Sequence, residues 1–329
     1  MDVSEHFVYL HGDAQEIGEA GVLTRSVGAL ANGREVLVGV DSDGYRHLLV
    51  PATRAKPIAG GGYKAISVSI RPLEGDEDEV NYLDIACTEK RLFRIFNRLT
   101  TEIVSRLSGT DAEPIAVCLK TLDEWRAIIE TSSVAISPQT VAGLVGELAI
   151  LEEIAKADPL RALPSWLGPE NYIHDFISSQ NRAIEVKATT SVEGSKVSIN
   201  GLDQLDYRIR DRLYLAVYHL RRSPTGLSLD DQINRISDLG VPLTELIKKI
   251  ATVGYTYESG AAEGMLFDVL DIRFRQVGKS FPGLKRTELE PGLVSGIENV
   301  SFTLLLDSLP TPLSPNDIAE ILASWNADG

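Results

Sequence analysis

The sequence predicts an α/β chain of the α+β kind. A strand-rich N-terminal domain is followed by a small mixed-sheet core of order α-β-β-β-α-β and by a C-terminal extension. Three observations carry this expectation. Short β-rich runs crowd the first 88 residues, the apolar period becomes helical from Lys90, and a long helical pattern after Ser137 leads into three short apolar runs and then a fourth. With 329 residues, 43% hydrophobic and 24% charged, the composition is globular, and the length suits two domains or one with large insertions.

The elements follow in order. "REVLVGVDSDGYRHLLVPA" reads as two strands around a turn at Asp41-Ser42-Asp43-Gly44. "KAISVSIRPL" and "VNYLDIACTE" add two more strands. The "GGG" at 60–62 lacks the GK[ST] ending of a phosphate-binding loop and reads as a flexible connection. "EGDEDE" (74–79) reads as a solvated acidic loop, without the ordered spacing and tight turn of a calcium site. Leu92, Phe93, Phe96, Leu99, Ile103 and Leu107 form one helical stripe, broken by the turn residues of "SGTDAEP" (108–114). A second helix is expected over 121–132, and Ser137-Pro138 starts a third.

That third helix, 138–156, precedes the Pro- and Gly-rich loop "DPLRALPSWLGPE". Strands are expected at 171–177, 182–190 and 196–200, a brief helix at 201–211, and a strand at 212–220. Residues 228–252 read as helix, with Gly254 ending it. Strands in "MLFDVLDIRFRQV" and "NVSFTLLLDSL" and a last helix capped at Ser314-Pro315 complete the chain. The domains expected are 1–115, β-rich with a helix at about 90–107; 116–136, a helical linker; 137–225, the core; and 226–329, an extension packed on it.

Composition narrows the function. A net charge of −15 opposes strong free-standing affinity for nucleic acid, though a local basic face is compatible with it. No apolar run approaches the roughly 18–20 residues that span a bilayer, and no basic-then-apolar leader opens the sequence, so no membrane association is expected. The two cysteines, Cys87 and Cys118, form no CxxC pair, which argues against structural zinc and a disulfide framework and for a reduced, cytoplasmic setting.

The chemistry concentrates in "HDFISSQNRAIEVKATTS" (174–191). Residues two apart on a strand share a face, so Glu185 and Lys187 point one way and Ile184 and Val186 the other. If the preceding strand pairs with this one, Asp175 converges on Glu185. Two apposed carboxylates repel, and a divalent cation neutralises them; oxygen ligands favour Mg²⁺ or Mn²⁺. Lys187 beside a metal-bound water would orient it, help deprotonate it, or stabilise charge on a phosphate oxygen. In "GLVGELAILEEI" Glu147 lies inside the apolar stripe Leu144, Leu148, Leu151 and Ile154, where a carboxylate needs a partner. Gly143 and Gly146 would let this helix approach the sheet. The bland alternative is a solvated strand face carrying a Glu185–Lys187 ion pair. His174 reads as a core histidine and Trp166 as packing for its turn. Arg208 and Arg212, one helical turn apart with Arg210, Arg221 and Arg222 nearby, read as a solvated face paired to Asp206 and Asp211, or as a phosphate-contacting edge.

Asp175, then Glu185-Val186-Lys187 within α-β-β-β-α-β, resembles the PD-(D/E)XK nuclease superfamily and its restriction-endonuclease-like core. More narrowly, "GLVGELAILEEI", "WLGPENYIHDF", "IEVKATTS" and "GLDQLD" resemble the bacterial PD-(D/E)XK motif proteins encoded beside phage-restriction genes. The motifs cover roughly 140–220, and His174 stands where the family name has proline. The resemblance implies that Asp175, Glu185, Glu147 and the Val186 backbone carbonyl ligate Mg²⁺ or Mn²⁺ and that Lys187 serves the attacking water. It implies that Gln204 matches a polar residue near the scissile phosphate. The function implied is a metal-dependent DNA endonuclease subunit of a restriction or anti-phage system. The implied partners are DNA, an ATPase or helicase-like protein and a methyltransferase, with dimers as one way to cut both strands. A catalytically silent scaffold or DNA-binding subunit of a defence complex is the alternative, and a nuclease for RNA or single strands a third reading.

Overall fold

The structure, a computed structural model, describes residues 3–13, 21–52, 65–74, 79–109, 112–131, 136–260, 262, 264–297 and 299–327. The Gly60–Gly62 run and residues 75–78 of the acidic loop lie outside the described residues. The chain divides into two compact units, 1–134 with 256–261, and 135–255 with 262–329.

In the first unit, helix α1 (Val3–Asp13) precedes strands β1 (Val22–Ala31), β2 (Arg34–Asp41), β3 (Arg46–Pro51), β4 (Ile66–Glu74) and β5 (Glu79–Cys87). They form an antiparallel sheet of order β1-β2-β3-β5-β4. Alternation places Val36, Val38 and Val40 in the core. The β2–β3 turn forms as its sequence requires: Asp41 Oδ1 accepts the Asp43 and Tyr45 N–H groups, and Gly44 takes φ +79°. Helix α2 (Phe93–Ser108) buries Phe96, Leu99, Ile103 and Leu107 of the expected stripe. Helix α3 (Pro114–Thr131) starts earlier than expected and packs along α2. Helix α1 and strand β1 carry no strong periodic signal and were not expected.

The second unit opens with helix α4 (Pro138–Ala157), capped by Ser137, whose side chain accepts the Thr140 N–H at 3.0 Å. Helix α5 (Pro159–Ser165) follows within the expected loop. Next come strands β6 (Phe176–Ile177), β7 (Arg182–Thr189), β8 (Lys196–Asn200) and β9 (Arg212–Leu227). Helices α6 (Leu229–Asp238) and α7 (Leu243–Ala251) lead to β10 (Phe267–Val277), the short α8 (Pro291–Val294), β11 (Ser301–Leu305) and α9 (Pro315–Ala323). The main sheet runs β10-β9-β7-β6, with β7 and β9 parallel and the outer pairs antiparallel. The fold is thus α+β with a mixed sheet. Helix α4 is buried on most sides because it packs on β7 and β9 and is covered by α6 and α9.

Four of the elements expected in the second unit take another form. The strand expected at 171–177 shrinks to β6, because the Asp175 carbonyl is taken by the Leu167 and Gly168 N–H groups at 2.6 and 3.0 Å. Strand β8 leaves the main sheet and pairs with β11, and this ribbon packs Val197, Ile199 and Leu304 on Ala183, Leu215 and Val217. The helix expected at 201–211 is only a 3₁₀ turn at Tyr207–Ile209, where buried Asp206 instead accepts the Arg208 and Thr287 N–H groups. The helix expected at 228–252 is broken at Gly240, with φ +105°, and Pro242.

The first residue of β7, Arg182, is buried and tied to the C-terminal region. Its guanidinium donates to the Ser324 carbonyl and, at 2.7 Å, to the Trp325 carbonyl, and it lies 5.1 Å from the Trp325 ring.

Candidate active site

Strand β7 sorts its side chains by alternation. Ile184 and Val186 face α4, while Glu185 and Lys187 face the opposite side. The helix approaches closely at Gly146, where a Cβ would lie 3.2 Å from Val186 Cγ1 and 3.3 Å from Tyr218 Cδ2. Gly143, expected to share that role, has nothing within 4 Å of its Cβ position and does not.

The next residue on α4, Glu147, extends to the turn before β6. Its Oε2 accepts the indole N–H of fully buried Trp166 at 2.7 Å. Strand β6 pairs Phe176 with Ile184, so Asp175 arrives opposite Glu185. Asp175 Oδ2 accepts the Val186 N–H at 2.6 Å. The N–H and carbonyl of one strand residue point to the same edge, so the Val186 carbonyl faces this side too. A Cβ at Gly168 would lie 2.6 Å from Glu147 Oε2 and 2.9 Å from Asp175 Oδ1, so the two carboxylates flank one point. Lys187 donates to Glu185 Oε1.

Electrostatics tie the four groups together. Burial, then the Asp175 charge, pushes the Glu147 carboxyl up to about 8, against the Trp166 bond and Lys187. Burial likewise raises Asp175, opposed by Lys187 and the Val186 N–H. Glu185 is raised well above its ordinary value, by burial and then by Asp175. Burial pulls the Lys187 ammonium down, but Glu185 and Asp175 outweigh it and hold it above its ordinary value. Three buried carboxylates thus share one ammonium, which offsets only part of what burial does to raise them.

A family model described as "Putative PD-(D/E)XK family member, (DUF4420)" matches residues 10–307. The chain belongs to this PD-(D/E)XK family. No curated protein and no solved structure matches it. The match extends well past the motif-bearing 140–220 and takes in most of both units. Nucleases of this superfamily generally use divalent metal ions.

The donor set fits such an ion. It offers hard oxygen ligands in excess of positive charge, and among the described residues buried Glu185 Oε2 finds no hydrogen-bond partner. Glu147, Asp175 and Glu185 would hold the cation. As they stand the carboxylates are gathered rather than closed. Among the described residues no three His, Cys, Asp or Glu side chains are placed to hold a metal ion as they stand, and Glu185 turns one oxygen to Lys187.

Other predicted residues make contacts of their own. Gln204 caps its own turn, its side-chain carbonyl accepting the Asn200 N–H at 2.9 Å. Arg208 and Arg212 are not one helical turn apart, since Arg208 sits in the 3₁₀ turn and Arg212 begins β9. Arg208 donates to the Thr287 carbonyl and approaches Glu288, rather than pairing with Asp206 or Asp211. His174 is fully buried, with Arg210 Nε 3.4 Å from its Nδ1. Reading the sequence missed the polar role of Trp166. The available signal was its chemistry: an indole N–H only donates, and a buried one needs an acceptor.

Proposed function

We propose that this PD-(D/E)XK protein is a metal-dependent DNA endonuclease acting as a subunit of a bacterial restriction or anti-phage system. The observation that carries the reading is the meeting of Glu147, Asp175, Glu185 and Lys187 with one Glu185 oxygen left unsatisfied. A charge cluster that costs stability is better explained by a ligand than by packing. A bound Mg²⁺ or Mn²⁺ would polarise the phosphoryl group and lower the pKa of water. The three carboxylates and the Val186 carbonyl would hold it. Lys187, charged at neutral pH in this arrangement, would orient the attacking water and stabilise negative charge on a phosphate oxygen. The water oxygen bonds to phosphorus, the bond to the leaving sugar oxygen breaks, and that oxygen takes a proton.

An open groove of about 700 Å³ adjoins Lys187. Gln139, Thr190, Lys196, Asn200 and Thr303 are among its lining residues, none of which is acidic. This supports an approach path for a phosphate backbone. Arg212 remains a proposed outlying contact, and Arg208 a weaker one because its guanidinium is engaged. The net charge of −15 supports dependence on partners for affinity, and the ATPase or helicase-like and methyltransferase partners, and a homodimer, belong to the same proposal.

Cleavage of plasmid DNA with Mg²⁺, Mn²⁺ or EDTA, alone and with neighbouring gene products, tests the reading. Cleavage should require the metal, and Asp175→Ala and Lys187→Ala should reduce it to background while the protein stays folded. Variants that cut like wild type would remove the assignment. Metal-independent DNA binding without cutting, under all these conditions, would favour a silent scaffold.

A further inference from the structure

We propose that Trp166 and Gly168 are positioning residues that set Glu147 and Asp175 for metal binding from one short turn. The proposal rests on the nuclease reading of the site and assigns a role to two residues outside the PD-(D/E)XK motif.

The turn acts on both carboxylates. Trp166 Nε1 holds Glu147 Oε2 at 2.7 Å. The indole itself is fixed, because its ring stacks on Phe176 with centroids 6.4 Å apart and an 18° interplanar angle, and its backbone bridges Phe176. The Leu167 and Gly168 N–H groups both take the Asp175 carbonyl, which fixes where the Asp175 side chain begins. Gly168 then leaves room for both carboxyl groups, since a Cβ there would lie 2.6 Å from one and 2.9 Å from the other.

Space, not backbone conformation, selects this glycine. Gly168 is not among the residues with positive φ, so alanine would accept its backbone. The atoms that an added methyl would meet are side-chain ends, Glu147 Oε2, which Trp166 holds, and Asp175 Oδ1, whose companion oxygen Val186 holds, so moving them aside strains both hydrogen bonds. The substitution therefore displaces the carboxylates and spares the fold. Groups that orient metal ligands commonly change metal affinity by about 10–100-fold when removed.

The test measures Mn²⁺ binding to the full chain by the loss of the free-ion paramagnetic resonance signal, with melting temperature followed in parallel. Gly168→Ala should weaken Mn²⁺ binding by about tenfold or more, with little change in melting temperature. Trp166→Phe keeps a ring against Phe176 but removes the N–H. It should weaken Mn²⁺ binding severalfold. Glu147→Asp in the Gly168→Ala background withdraws the carboxyl from the new methyl and should recover part of the lost affinity, a coupling that a purely structural role would not show. Wild-type Mn²⁺ affinity in both single variants would overturn the proposal. If Asp175→Ala abolishes Mn²⁺ binding while these variants keep it, positioning alone fails. If Asp175→Ala binds Mn²⁺ like wild type, the nuclease reading fails with it.

Discussion

Glu147 is a carboxyl whose ordinary ionisation the fold opposes. Its value in the folded protein, about 8, lies above the ordinary 4.5. A raised acid adds stability that is full below the unfolded value and is lost as pH rises through the folded one. The metal-free protein should therefore lose stability between those two values, by up to about 5 kcal/mol for this group. Glu147→Gln keeps an acceptor for Trp166 but cannot ionise. Melting curves taken across that range should show a shallower slope in the variant, with the remainder owed to Glu185 and Asp175. An equal slope in both proteins would assign the strain elsewhere. At this scale the sequence was informative where chemistry and period disagreed: an acid in an apolar stripe, and an acid and a lysine on one strand face. It was silent about Gly168, whose importance comes from atoms brought there by α4 and by the residue before β6.

Helix α4 offers a contrast between two glycines three residues apart. At Gly143 an added methyl meets nothing, so Gly143→Ala should stabilise by about 0.5–1 kcal/mol through helix propensity and a less flexible unfolded chain. At Gly146 the methyl would press on Val186 and Tyr218, so Gly146→Ala should cost about 1–3 kcal/mol, less its helical gain. Chemical denaturation of the two variants checks the opposite signs. Elements with their own local signal were legible, among them the Asp41–Gly44 hairpin, the α2 stripe and the Ser137 and Ser314 caps. Elements decided by distant partners were not. Strand β8 alternates as well as any main-sheet strand, yet it pairs with residues about a hundred positions later. The stretch before β6 is apolar enough for a strand, but the turn at Leu167 and Gly168 claims its backbone.

For the whole molecule the governing quantity is the distribution of charge. A chain at −15 repels a polyanion at long range, while the groove beside Lys187 has no acidic lining. Lys196, exposed in that groove, makes no ion pair among the described residues, so its charge is available. In the cleavage-deficient Lys187→Ala background, Lys196→Glu should weaken binding of a labelled DNA strand by about tenfold. It should also lower the salt slope by about one counterion. Unchanged anisotropy titrations would remove the groove from the substrate path. The acidic balance was readable from composition alone. Its segregation was not, because Gln139, Lys196 and Thr303 meet only after α4, β8 and β11 have packed.

The clasp on Arg182 has a consequence for how the chain comes into being. The guanidinium lies three residues before Glu185, and its carbonyl partners lie 142 and 143 positions downstream. During synthesis the strand bearing Glu185 and Lys187 keeps at its root a cation without its two carbonyl acceptors until Trp325 has left the ribosome. The strand that carries Glu185 and Lys187 therefore gains its full anchoring only once residues 324 and 325 are in place, and losing them would loosen the same root.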